Sequence, residues 1–356
     1  MNSQSNSRAN AHPNLVGQPV PLMPMQRGGV ALTPLQDRLR RELRGDVCFD
    51  RASRGRYATD ASIYQIFPIG VVVPRDQDDL ILALDIARDL RVPVLARGAG
   101  TSQCGQTIGE ALVIDNSKWL GRVVAFDAVA RTVTVEPGIV LDHLNAWLKP
   151  HGLWFPVDVS TAAQCTVGGM TGNNSCGSRS LEYGNMVHNV LSIDAVLADG
   201  AQLHFGALHS PPTDARTQAI LASVHAIAMR EREELRERVP RVLRRVAGYN
   251  LDLFDCLNPR AYTDDGVANL SHLLVGSEGT LAYSRQITLK LVPLPVHKTL
   301  GVVNFPTFYQ AMDLTQHIVK LGPVAVELVD RTMIDLAMDN PAFRPVIETA
   351  LVGDPQ

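Results

Sequence analysis

The sequence predicts a fold of the α+β class, and three observations carry that prediction. A β-α-β unit spans residues 71–96, in which short apolar strands flank a helix with Leu80, Leu84 and Ala87 on one face. Several further strands follow it without an intervening helix. Glycine-rich segments lie at predicted strand ends, which is where folds that combine helices and sheets bind their ligands.

The elements follow in chain order from hydrophobic periodicity and capping residues. A helix from Pro34 to about Arg44 places Leu35, Leu39 and Leu43 on one face, and Thr33 is able to cap it. Apolar runs bounded by turn residues predict strands at residues 71–73, 92–96, 112–115, 123–127, 132–136, 190–197, 273–275, 287–292 and 324–328. Helical periodicity predicts helices at residues 77–90, 141–150, 214–238 and 308–321, and the start of another at 333–338.

Composition limits the classes of protein to be considered. The 356 residues suffice for roughly two domains, and the balance of 46% hydrophobic and 19% charged residues is that of a globular protein. A net charge of −3 gives no reason to expect a nucleic-acid partner, and the basic run at residues 230–245, interrupted by Glu, is interpreted as a solvated helix face. No apolar run is long enough to cross a membrane. Residues 1–33 have the composition of a disordered leader, and we expect a cytoplasmic protein that is able to rest against a membrane complex.

The cysteines and histidines do not form a metal or disulfide pattern. Five cysteines are scattered without a C-x-x-C spacing, and ten histidines include no H-x-x-x-H pair. The sequence therefore predicts no disulfide framework, no metal site and no iron–sulfur cluster in this chain, and it favours a reducing compartment.

Three segments rich in small residues stand in order along the chain: loop 1 at residues 97–106, loop 2 at 165–184 and loop 3 at 276–282. Loop 2 alone fits two interpretations, a backbone cradle for a phosphate-bearing cofactor or a flexible surface loop. Three such segments favour one long ligand held by main chain. A Rossmann domain is disfavoured because no G-x-G-x-x-G opens a helix, and the P-loop signature is absent as well.

The motifs in these segments resemble a known family. RGAGTSQCGQ in loop 1, PVDVSTAAQCTVGGMTGNNSCGSRSLEYG ending in loop 2, VLADG at 196–200 and GSEGTLA in loop 3 are similar to the FAD-binding domain of the vanillyl-alcohol oxidase/PCMH flavoprotein superfamily. RRVAGYNLDLF at 244–254 narrows the resemblance to the flavin half of fused FAD/iron–sulfur oxidoreductases related to D-lactate, glycolate and D-2-hydroxyglutarate dehydrogenases. The resemblance covers roughly residues 50–340.

The resemblance implies a set of cofactor-binding residues and a non-covalent FAD, because Thr101 stands where some members carry a flavin-linked histidine. Backbone amides of loop 1 would wrap the pyrophosphate, residues before and within loop 2 would approach the flavin, and loop 3 would lie nearby. The implied residues are Arg97, Gly98, Ala99, Gly100, Thr101, Ser102, Gly105, Gln106, Pro156, Asp158, Thr166, Val167, Gly168, Gly169, Asn173, Gly177, Val196, Glu278 and Gly279.

The resemblance also implies a two-subdomain PCMH-type fold and an activity. We expect a leader at 1–33, an N-terminal helix and linker at 34–56, the FAD-binding domain at 57–296 and the start of an α+β cap at 297–356, with AVELVDR as its early strand and turn. The expected reaction is hydride transfer from a D-2-hydroxy acid to the flavin, with electrons passed to an iron–sulfur partner or quinone. The catalytic residues are not predicted, since the family draws them mainly from later parts of the cap. Three alternatives remain open: a FAD-binding electron-transfer module without turnover, a gene fragment that lacks its C-terminal half and has no turnover of its own, and a scaffold that holds no FAD.

Other polar residues near the loops carry paired interpretations. His188 is the local histidine candidate for a flavin neighbour, and Arg179 is a candidate for an anion contact or a surface salt bridge. Cys104 and Cys176 are either reactive thiols or small buried apolar residues. Asp142, His143 and His151 are expected to be structural.

Overall fold

A computed structural model describes residues 32–246, 248–254, 262–353 and 355 of the chain. The leader predicted at 1–33 lies outside the described residues, except that residues 32 and 33 open the first helix. The strands are β1 Asp46–Cys48, β2 Gly70–Val73, β3 Val94–Arg97, β4 Leu112–Asp115, β5 Val123–Asp127, β6 Thr132–Val135, β7 Leu153–Trp154, β8 Val190–Val196, β9 Gln202–Phe205, β10 Tyr283–Lys290 and β11 Val292–Pro293.

Helices connect and cover these strands. They are α1 Leu32–Glu42, α2 Arg51–Arg56, α3 Gln77–Asp89, α4 Leu141–Leu148, α5 Val167–Gly172, α6 Ser180–Tyr183, α7 Met186–Asn189, α8 Ala215–Arg230, α9 Arg232–Arg238, α10 Ser271–Leu274, α11 Phe308–Ile318, α12 Arg331–Asp339 and α13 Arg344–Ala350. Short 3-10 turns occur at Lys149–His151, Leu251–Phe254 and Val319–Leu321. In the part of the chain that the structure describes, no helix is both long and apolar enough to cross a membrane.

The first sheet has the order β1-β2-β4-β3, with β4 parallel to both β2 and β3. Every residue of β2 and β4 is buried, as expected for parallel strands, which are normally covered on both faces. Leu35 and Leu39 of α1 and Leu80 of α3 are fully buried in the same core. The helix faces and the β-α-β order predicted for this region are confirmed. The bounds differ, since the first helix spans Leu32–Glu42 rather than 34–44 and the strand after α3 spans Val94–Arg97 rather than 92–96.

The second sheet is antiparallel, with the order β5-β6-β10-β8-β9. Its core contains Phe155, Leu144 and Ile287, all fully buried. A buried hydrogen bond from the Tyr283 hydroxyl to Asn116 Oδ1 (2.9 Å) joins β10 to the end of β4 in the first sheet. This bond ties the second sheet to the first, and both residues line the cavity described below.

Several sequence-based assignments are wrong in type or extent. Residues 273–275 are not a strand, because Leu273 and Leu274 belong to α10, and residues 324–328 form no strand. The helix predicted at 214–238 is divided at Glu231 into α8 and α9. Loop 2 is not wholly irregular, since α5 and α6 lie within it. Loop 3 follows the helix α10 rather than a strand, and α13 was not predicted.

Candidate functional site: a backbone-lined cavity

One cavity of about 320 Å³ is bounded by residues of loop 1, loop 2 and loop 3. This volume lies in the range of pockets that hold small ligands and cofactors. Loop 1 enters from the end of β3, α5 of loop 2 forms another wall, and loop 3 reaches it before β10 begins. The three segments that the sequence singled out thus converge on one space.

Arg97 ends β3 and fixes the shape of loop 1. Its guanidinium donates from Nη1 to the Thr107 carbonyl and from Nη2 to the Thr59 carbonyl, both at 3.0 Å. Burial lowers the pKa of this guanidinium, and nearby carboxylates including Asp115 oppose that effect. Gly100 has φ +68°, and a Cβ there would lie 2.2 Å from Arg97 Nη2, so the turn requires glycine.

Loop 1 presents an unusual run of backbone donors. The N–H groups of the five residues 98–102 donate no hydrogen bond to any other residue that the structure describes. All five residues line the cavity. None of these residues is fully buried, so the N–H groups are accessible to solvent and to a ligand. A run of accessible N–H groups along one cavity wall suits a ligand rich in acceptor oxygens.

Loop 2 reaches the cavity through α5, which begins after Thr166. The Thr166 side chain accepts from the Gly169 N–H and so caps the helix. A Cβ on Gly98 would lie 2.2 Å from Thr166 Oγ1, and one on Gly168 would lie 2.6 Å from the Pro137 side chain. These glycines therefore allow loop 1, α5 and the turn after β6 to pack against each other.

Loop 3 is tied to α5 and to loop 1. The Gly276 and Glu278 N–H groups donate to the carbonyls of Thr171 and Gly172, each at 3.0 Å. The Glu278 carboxylate accepts from Gln106 Nε2 at 3.1 Å, which joins loop 3 to loop 1. Burial raises the pKa of Glu278, and the hydrogen bond from Gln106 partly opposes this.

A buried polar cluster supports loop 2 and loop 3 from behind. Arg245 pairs with Asp252, which is fully buried, and also donates to the hydroxyl of Tyr262. The Arg245 carbonyl accepts from the side-chain amides of Asn174 (3.4 Å) and Asn185 (3.3 Å) in and beside loop 2. The interpretation of residues 230–245 as a solvated face is therefore wrong for Arg245, which is buried and forms an ion pair with Asp252.

His272 in α10 belongs to the same buried region and carries a pH prediction. Burial, with a further contribution from the charge of His188, lowers the pKa of His272 from 6.5 to about 4. The unfolded chain therefore binds more protons at this residue, and stability falls as the pH decreases from about 6.5 to about 4. Between about pH 6.5 and about pH 4, we expect the melting temperature of His272→Phe to fall less than that of the unchanged protein. Thermal denaturation at a series of pH values measures this difference. Equal losses in both proteins would contradict this prediction.

The structure brings most of the predicted cofactor residues to the cavity wall. Those that line it are Arg97, Gly98, Ala99, Gly100, Thr101, Ser102, Gln106, Thr166, Gly168, Gly169, Asn173, Glu278 and Gly279. Those outside the lining are Gly105, Pro156, Asp158, Val167, Gly177 and Val196. Direct contact of each residue with the cofactor stays a prediction.

Four of the residues outside the lining have structural roles that can be identified. Asp158 accepts from the Arg179 N–H (3.1 Å) and the Ser178 hydroxyl (3.0 Å), which holds the middle of loop 2. A Cβ on Gly177 would lie 1.6 Å from the Asp158 carbonyl oxygen, so these two chain segments are in close contact. Val167 is fully buried, and Val196 in β8 pairs with Tyr283.

The other polar candidates are placed as follows. Arg179 lies 3.6 Å from Asp158 and packs over the Trp154 ring, which agrees with the salt-bridge alternative. His188 Nδ1 accepts from the Asn185 N–H at 3.1 Å, and His188 does not line the cavity. Cys104 is exposed, whereas Cys176 is partly buried and lines the cavity.

Sequence reasoning missed several lining residues. Asn116, Pro137 and Tyr283 line the cavity, as do Ser160 and Thr161 before loop 2. Asn116 directly follows β4, and Pro137 occupies the turn after β6. Their positions beyond strand ends were a usable signal, because ligands in such folds gather there.

Comparison with known proteins places this cavity in a family. Residues 68–206 match the family model described as FAD binding domain, and residues 294–353 match FAD linked oxidases, C-terminal domain. The first match contains loop 1 and loop 2, which indicates that the cavity belongs to a flavoprotein. The chain belongs to the PCMH-type FAD-linked oxidase family, whose cofactor is FAD.

Relatives and solved structures agree with that assignment. The chain is 32% identical over 318 residues to D-2-hydroxyglutarate dehydrogenase of Pseudomonas putida, covering 86% of this chain and 30% of the relative. It is 30% identical to probable mitochondrial D-lactate dehydrogenase of Danio rerio, covering 83% of this chain and 50% of the relative. It is 28% identical to glycolate oxidase subunit GlcD of Bacillus subtilis, covering 82% and 52%. The chain thus spans about 30% of the length of the D-2-hydroxyglutarate dehydrogenases that it matches.

The fold comparison supports the same architecture. A structure of alkyldihydroxyacetonephosphate synthase matches with a TM-score of 0.63 at 18% identity, covering 89% of this chain and 55% of that chain. The α+β, PCMH-type fold expected from the sequence is therefore confirmed.

The chemistry of the cavity residues fits FAD. The unpaired N–H groups of loop 1 complement the acceptor oxygens of a pyrophosphate. The buried Gln106 Oε1 has no donor among the described residues, and FAD carries ribityl, ribose and ring donors that could serve it. The glycines at the contacts between the loops leave the backbone accessible to the ligand.

Proposed function

We propose that the chain binds FAD non-covalently and takes part in the dehydrogenation of a D-2-hydroxy acid of the D-lactate, glycolate or D-2-hydroxyglutarate type. The observation that carries this proposal is the run of five unpaired N–H groups at 98–102, held within one cavity by all three loops. The names of the matched relatives support the substrate class. Electrons would leave to an iron–sulfur partner or a quinone.

Each part of the cavity has a separate task in this proposal. When bound, FAD supplies the hydride acceptor at the flavin N5, and the chain supplies binding and orientation. Loop 1 would hold the pyrophosphate, with Arg97 keeping the loop in shape. Glu278 and Gln106 would hold loop 3 against loop 1 and limit the entry of water. Thr101 at the position of the flavin-linked histidine supports a non-covalent complex.

We also propose the division into a FAD-binding domain at 57–296 and a cap that begins at 297. The family matches at 68–206 and 294–353 support these limits.

The test is an anaerobic flavin reduction assay on the purified full chain. We expect the protein to retain FAD, and the oxidised-flavin absorbance to bleach on addition of D-lactate, glycolate or D-2-hydroxyglutarate but not of L-lactate. Acid precipitation is expected to release the flavin into the supernatant, as a non-covalent cofactor requires. Retained FAD without bleaching by any substrate would favour the electron-transfer module, and absence of FAD binding would favour the scaffold.

A further inference from the structure

A second cavity, of about 380 Å³, adjoins loop 2. Its apolar walls come from two parts of the chain: Leu181, Val242 and Leu243 before residue 294, and Val319 and Val326 from the cap segment. Its polar lining residues are Ser178 and Arg244. Ser175 and Cys176 line the FAD cavity, so that residues on the two sides of Gly177 face two different cavities.

Arg244 brings a positive charge to this second cavity. Its Nη1 donates to the Gly177 carbonyl at 3.2 Å, and the side chain is exposed. Among the residues that the structure describes, no carboxylate lies within ion-pair distance of Arg244. Two other arginines near loop 2 do have carboxylate partners: Arg245 pairs with buried Asp252, and Arg179 lies beside Asp158. Arg244 therefore keeps donors and charge for a ligand.

The lining defines the chemistry of the ligand. A guanidinium offers paired N–H donors that match a carboxylate, and it stays charged at every physiological pH. The valine and leucine walls suit a short aliphatic chain. The Ser178 hydroxyl donates to Asp158 Oδ2 at 3.0 Å, so it is left as an acceptor for a ligand hydroxyl.

We propose that Arg244 binds the carboxylate of a small aliphatic 2-hydroxy or 2-oxo acid in the cavity formed between loop 2 and the cap segment. This inference rests on the proposed function for the class of acid, and it assigns that acid a binding site beside the FAD cavity rather than the position from which hydride is transferred. Because the same guanidinium holds the Gly177 carbonyl, binding of the acid would be transmitted through loop 2 to Cys176 in the FAD cavity. Occupancy should therefore alter the absorbance spectrum of the bound flavin.

The test uses the FAD-loaded full chain and three variants: Arg244→Met, Arg244→Lys and the control Arg241→Met. Arg241 is an exposed arginine three residues away whose only described polar contact is a long one, 3.5 Å, to the Arg236 carbonyl. The dissociation constants of 2-oxoglutarate and D-lactate are measured by calorimetry and by flavin difference spectra. We expect Arg244→Met to raise them about 2- to 5-fold, the usual effect of losing an ion pair made by an exposed side chain. The dissociation constants of Arg244→Lys should lie between those of the unchanged protein and Arg244→Met, and Arg241→Met should leave them unchanged.

The outcomes separate this inference from the proposed function. Unchanged dissociation constants in Arg244→Met, or no binding of either acid by the unchanged protein, would overturn the Arg244 site. Binding that depends on Arg244 without flavin bleaching would support the site and refute the dehydrogenase proposal. Bleaching together with the same dissociation constants and flavin difference spectra in all variants would refute the site alone. If Arg244→Met fails to fold or to retain FAD, Arg244→Lys decides, since its charge and stem are retained.

Discussion

Asp252→Asn is expected to lower the free energy of unfolding by about 3–5 kcal/mol, the effect of leaving one partner of a buried ion pair uncompensated. Asp252 is fully buried and pairs with Arg245, which has almost no exposed surface. Asparagine keeps the size of the side chain but removes the charge. Chemical denaturation followed by circular dichroism measures the change, and two comparisons identify its cause.

The first comparison is Asp199→Asn, which removes the carboxylate of a surface pair. Asp199 and Arg216 are each about half exposed, so we expect a change below about 1 kcal/mol. The second is the double variant Arg245→Met with Asp252→Asn, in which neither charge of this pair remains. It should be more stable than the sum of the single changes predicts. A loss in Asp252→Asn no larger than that in Asp199→Asn would contradict the role of the buried pair.

Gly98→Ala is expected to weaken FAD binding about 10- to 100-fold, corresponding to the 1–3 kcal/mol that overpacking usually costs. The new Cβ would lie 2.2 Å from Thr166 Oγ1, so loop 1 or α5 must move. The movement would disturb the run of N–H groups that begins at Gly98. Fluorescence titration of the FAD-free protein measures the affinity, without any need for turnover.

A double-mutant cycle with Thr166→Ala tests the steric cause. Removal of Oγ1 leaves Thr166 Cβ as the nearest atom, 3.3 Å from the new methyl group, so the double variant should bind FAD more tightly than the two single changes predict. Gly109→Ala is the matched control, because its Cβ would meet only Leu95 Cδ2, at 3.8 Å. Independent effects of the two changes would contradict the steric explanation.

Prediction from sequence succeeded where a local pattern fits only one type of secondary structure, and it failed where the pattern fits both a helix and a strand. The strands at 112–115 and 123–127 match the structure residue for residue, since apolar runs there end at Asp and turn residues. The run at 273–275 was assigned to a strand but begins in α10, because a short buried apolar run fits either element. In loop 2, helix α5 escaped detection because glycine disfavours helices. It is stabilised by the Thr166 cap and by contact with Pro137.

The sequence by itself determined the α+β class, the three glycine-containing loops and their flavin family, since these follow from spacing and from motifs within single segments. Only the tertiary structure decided how side chains distant in the chain meet. It placed Arg245 in a buried pair rather than on a solvated face, and directed the Asp158 side chain to loop 2. It also brought Asn116 to the cofactor cavity and Arg244 to a cavity shared with the cap. The physical reason is that burial and charge pairing depend on neighbours from other segments, which no local pattern contains.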